Sequence, residues 1–180
     1  MARRAGRLRK TVQIQSVSEA QNAYGEHIET WGTDATVRAD ITPAGSKEGI
    51  RADQVTPEVT HDVVIRYRAG TTSENRLLVR KAKTALNGAI SDSVTTITVD
   101  ADLGLSGSNK FRIEVGSEIM VVTAGHGTTS WTVERGADGT TAAAHSDNDE
   151  VRHLAIFNIE GLYNEGERDR YMVLKCAEVL

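Results

Sequence analysis

Thr11-Val12-Gln13-Ile14-Gln15-Ser16-Val17 alternates polar and apolar side chains, and in an extended chain successive side chains point to opposite faces. The alternation predicts a strand with Val12 and Ile14, and Val17 at its end, toward a core, while Gln13 and Gln15 face out. Thr36-Val37-Arg38-Ala39-Asp40-Ile41 repeats the pattern with Val37, Ala39 and Ile41 inward. Between them Asn22-Ala23-Tyr24-Gly25-Glu26 has the composition of a turn, and Trp31 is expected to anchor the returning strand.

The same period continues outward. Val59, His61, Val63, Ile65 and Tyr67 share one face of the stretch 59–68; Ala69-Gly70-Thr71-Thr72-Ser73 turns the chain into Arg76–Arg80. Between them, after Pro43, the stretch up to Pro57 keeps no period, although Ser46–Val55 has room for one or two helical turns. A polar connection of that length is uncommon in a small β domain unless it has a function. Composition then shifts toward Gly, Thr, Ser and Asp from about Lys83 to Arg152, with short strands at Thr95–Val99, Phe111–Val115, Glu118–Thr123 and Ser130–Glu134. With only Phe111 and Trp131 as aromatics, this segment is expected to have a thin core. Strand signals of the first kind return at Leu154–Glu160 and Arg170–Cys176, across a charged turn, Tyr163–Arg168. The reading is an all-β chain: a basic arm (1–10), one β domain made of 11–82 and 153–180, and an inserted β module (83–152).

Composition bounds the function. No apolar run approaches the eighteen or so residues of a membrane span. The basic start lacks the apolar stretch and small-residue cleavage site of a signal peptide, and the single Cys176 suits a buried small hydrophobe in a reducing compartment. Net charge is −4, but Arg3, Arg4, Arg7, Arg9 and Lys10 give residues 1–10 a charge of +5, leaving −9 on the rest. Charge alone does not choose among nucleic acid, an acidic protein surface and solvent as the arm's surroundings.

No pattern asks for a catalyst. There is no nucleophile elbow, phosphate loop or dinucleotide fingerprint, and Gly125-His126-Gly127 reads as a turn between strands. The five histidines have no zinc spacing; His61 reads as a strand residue with a satisfied hydrogen bond and His145 as a turn residue. Asp100/Asp102 and Asp147/Asp149 lack the full oxygen-rich loop of a calcium site and read as solvated carboxylates. No catalytic residue, metal or cofactor is assigned, and no recognition helix suits a DNA groove.

Gly6-Arg7-Leu8, Val12-Gln13-Ile14-Gln15, Tyr24-Gly25, Trp31, Val37–Ile41, Thr60-His61, Ile65-Arg66-Tyr67-Arg68, Phe157-Asn158-Ile159 and Leu174–Glu178, in this order, resemble the phage head-tail joining family of head-closure or stopper proteins. The resemblance implies a small antiparallel β-barrel, with copies arranged in a ring (six or twelve) between the portal-adaptor proteins and the tail terminator or tail tube. It places the protein in the virion neck, with packaged double-stranded DNA passing through unread. It also implies that the long connection Thr42–Glu58 faces the channel, with Pro43, Gly45, Lys47, Glu48, Arg51 and Asp53 as its channel residues. The arm's cations, Arg3, Arg4, Arg7, Arg9 and Lys10, are expected at an interface because five of them within ten residues cannot pack together without a partner. The insert is similar to a β module recurring in phage structural proteins, at Glu118-Ile119-Met120, Trp131-Thr132-Val133, Arg135-Gly136 and Gly139–His145. The alternatives are a neighbouring connector or tail-completion component, and a β-rich module that attaches to glycans or host surfaces.

Overall fold

The computed structural model describes residues 5–21, 24–44, 60–105 and 109–179. The chain is all-β: ten strands, two single 3-10 turns and no α-helix among the described residues. The strands are β1 (Lys10–Gln21), β2 (His27–Pro43), β3 (His61–Arg66), β4 (Arg76–Ala85), β5 (Thr96–Thr98), β6 (Phe111–Val115), β7 (Glu118–Ala124), β8 (Ser130–Glu134), β9 (Glu150–Asn164) and β10 (Tyr171–Val179). Their pairing order is β10-β3-β2-β1-β4-β9-β6-β7-β8-β5, and β9 pairs β10 as well. By its internal contacts the chain divides into one unit of Met1–Val17, Thr33–Val79 and Ile156–Leu180, and another of Ser18–Gly32 and Arg80–Ala155.

In the first unit the expected alternation is realised at Val12 and Ile14, which are fully buried. Antiparallel register sets Ala39 against Ile65 and Ile41 against Val63, then Ile65 against Met172 and Val63 against Leu174. Facing residues of antiparallel strands share a side of the sheet, so these form one apolar face; Phe157 and Cys176 are buried with them. Two expectations fail here. Gln15 is fully buried instead of facing out, because it stands opposite Arg76, whose Nε donates to Gln15 Oε1 at 2.9 Å; the Asn75 amide donates to the Gln15 carbonyl at 3.3 Å. Buried polar groups are tolerated when hydrogen-bonded in this way. Tyr67 lies exposed beyond the end of β3, and Val64 on the opposite face is buried, so period two alone misassigns that strand's end. Val59 and the proposed helical turns at 46–55 lie outside the described residues.

The second unit is built around hairpins. Gly116-Ser117 closes β6 on β7 with Gly116 at φ +60°, a conformation glycine adopts without a steric penalty. Its core gathers Leu86, Ile97, Val99, Ile113, Val115, Met120, Val122, Trp131, Val133 and Val151, all buried, with Phe111 packed on them. The thin core expected from two aromatics is thereby corrected: aliphatic side chains from six segments fill the volume. Ser18–Gly32, which the sequence assigned to the first domain, groups with this unit. Trp31 sits half-buried in β2, which is far longer than the expected 36–41.

Candidate functional site

The described part of the basic arm begins at Ala5. Arg7 lies on a 3-10 turn and its Nε stands 3.3 Å from Asp40 Oδ2, while Arg9 Nε donates to the Gly6 carbonyl at 3.1 Å and Lys10 opens β1. Arg7's side chain is 64% exposed, so this ion pair contributes little to stability and leaves the guanidinium accessible. Arg3 and Arg4 lie outside the described residues. Of the channel residues, Pro43 is the exposed last residue of β2, and Gly45, Lys47, Glu48, Arg51 and Asp53 lie outside the described residues.

The densest polar constellation is elsewhere, in the second unit. Glu118 is fully buried and accepts from Arg135 Nε and Nη2, each at 2.8 Å, from the backbone N–H groups of Gly136 (3.0 Å) and Ala143 (3.1 Å), and pairs with His145 Nε2 at 2.9 Å. Burial alone would raise this carboxyl's pKa; the hydrogen bonds from Arg135, His145, Ala143 and Gly136 outweigh it and bring it down to about 2. Arg135 spends its other donors on the carbonyls of Ser91, Val94 and Ala143. The Glu118 oxygens and all the Arg135 donors are engaged inside the protein, so the cluster ties loops together. His145, expected in a turn, instead bridges Ile90 through backbone bonds and closes this network. All three residues lie in the motifs by which the insert resembles a recurring β module, but standing 17 and 27 residues apart they give no sign in the sequence that they meet.

Other candidates resolve in the same direction. His61 Nδ1 lies 2.9 Å from Thr60 Oγ1 and its ring stacks on Phe157 at 4.7 Å, as a hydrogen-bonded strand residue. Asp147 accepts from the Gly88 N–H and Asp149 from the Ser146 N–H, which makes both carboxylates turn-builders. Burial pushes the Cys176 thiol up to about 12, far from the range of a reactive thiolate. Among the described residues no group of three or more His, Cys, Asp or Glu side chains is placed to hold a metal, and no helix is long and apolar enough to cross a membrane.

Similarity to known proteins points to a class. Residues 3–84 match the family model of the phage head completion protein. The matched segment spans the arm and β1 to β4, a little under half of the chain, and bears out the resemblance drawn from its motifs. It supports a structural protein of the phage head-tail region. No curated protein matches the chain.

Proposed function

We propose that this protein is a head-closure (stopper) ring subunit, joining the portal-adaptor proteins to the tail and helping to retain packaged DNA. The observation that carries the reading is the head completion match over residues 3–84, together with side chains that are consumed in holding the fold. In this reading the pairings among β10, β3, β2, β1, β4 and β9 form the small barrel of the family, and residues 83–152 are an inserted module. The basic arm docks on an acidic surface of the adaptor or of a neighbouring copy.

The test is complementation. Filled heads from an infection lacking this protein are incubated with the purified full chain and then with tails. The reading requires DNA to become nuclease-protected and infectious particles to form; heads that keep their DNA and join tails equally well without the protein overturn it.

A further inference from the structure

We propose that the neighbouring arginines Arg38 and Arg66 of the first unit are a docking surface for the acidic second unit of another copy of this chain, an inference that rests on the ring reading above. In the second unit Arg80, Lys83, Lys110, Arg112, Arg135 and Arg152 each stand against a carboxylate. The first unit treats its arginines differently. Among the described residues, Arg9, Arg38, Arg66, Arg68 and Arg170 have no carboxylate partner, while Arg7 and Lys175 do.

Register pairs two of them. The Ala39–Ile65 pair of β2 and β3 is followed by Arg38 and Arg66, both exposed. Arg38 Nη1 donates to the Arg9 carbonyl at 3.4 Å, and Arg66 stands opposite Tyr171, next to Arg170, whose carbonyl accepts from Tyr67. Arg38 and Arg66 thus stand side by side on adjacent strands, ~4.8 Å apart, while Arg170, one residue before Tyr171, falls on the other face with Tyr67. Like charges facing each other across strands are unfavourable, so the isolated subunit gains nothing from this arrangement. A partner bearing carboxylates reverses the sign, because guanidinium groups bind them through paired hydrogen bonds.

The second unit supplies that chemistry. It holds 7 Lys and Arg against 13 Asp and Glu, a charge of −6. Asp100 and Asp102, exposed in the turn after β5, have no side-chain partner among the described residues. The net charge of −4 repels a second copy as it does any polyanion, so the attraction has to be local, between the arginines of one copy and the exposed carboxylates of the acidic unit of the next. A patch on one unit meeting a different patch on the next copy propagates head to tail, the geometry from which rings close.

Charge reversal in the full chain tests this, with Arg38→Glu and Arg66→Glu in one variant and Asp100→Arg and Asp102→Arg in another. Association is read by sedimentation velocity at low salt and by negative-stain imaging of connector-bearing heads. Each variant is expected to need about tenfold more protein, or more, to assemble, and the two mixed should recover a heterodimer through the swapped contact. Arg38→Ser with Arg66→Ser gives the same reading with a milder change, should the reversals unfold the protein. Rings that persist at wild-type concentration in either variant overturn the surface and leave the ring reading standing. Absence of any wild-type ring, in solution and on heads, overturns the ring reading itself. If the wild-type chain binds a short labelled DNA duplex, loses it on arginine reversal, and still forms rings, DNA occupies the arginine pair and the proposal is wrong.

Discussion

Replacing Glu118 by Gln keeps the side chain's size and removes its charge at a fully buried position. Arg135, only 7% exposed at its side chain, then keeps its carbonyl contacts but loses its counter-ion. Removing one member of a buried pair typically costs about 3–5 kcal/mol. Linkage gives a similar figure: a carboxyl moved from 4.5 to about 2 contributes about 3 kcal/mol at ~1.4 kcal/mol per pH unit. Because the folded-state pKa is lowered, this contribution is complete above pH 4.5 and disappears as pH falls toward 2. Both tryptophans, Trp31 and Trp131, belong to the second unit, so their fluorescence reports its unfolding alone. The variant should lower the fluorescence-detected melt at pH 7 by on the order of 10–20 °C. The gap from wild type should narrow on acidification between those two pH values. A variant that melts with the wild type at pH 7, or a gap that does not change with pH, refutes the reasoning.

Gly125→Ala should destabilise the second unit by more than ~1 kcal/mol, since Gly125 has φ +88° and an added Cβ would lie 2.1 Å from the Ser130 carbonyl oxygen; an unchanged fluorescence melt would contradict this. The Cys176 thiol, fully buried and pushed up to about 12, should react with a thiol reagent only on unfolding, so a native reaction at the rate of a free thiol would show that the strand opens. Replacing residues 84–151 by a Gly/Ser linker should leave a β signal in far-ultraviolet circular dichroism and a cooperative melt, whereas a chain without β signal would show that the insert belongs to the core.

The fold was legible where burial follows local period and illegible where distant side chains set it. Val12, Ile14 and Ala39 face inward as alternation requires. Gln15 breaks the alternation because Arg76, on another strand, gives it a hydrogen-bonded place inside. The Gly116-Ser117 hairpin was readable from its turn residues, but the density of the core around Trp131 was not, since Leu86 and Val151 reach it from outside the short strands. Of the basic arm, the charges could be read directly; that Arg38 and Arg66 stand side by side depends on strand pairing, which sequence spacing alone does not give. The Glu118–Arg135–His145 cluster likewise needed three separate segments to be brought together.

The central claim is a structural role at the junction of head and tail, and direct imaging tests it best. Heads from an infection lacking this protein should show a bare connector by negative-stain microscopy, and adding the purified chain should place a ring of density on it. Heads that look the same before and after, with the protein remaining in the unbound fraction, would contradict the account.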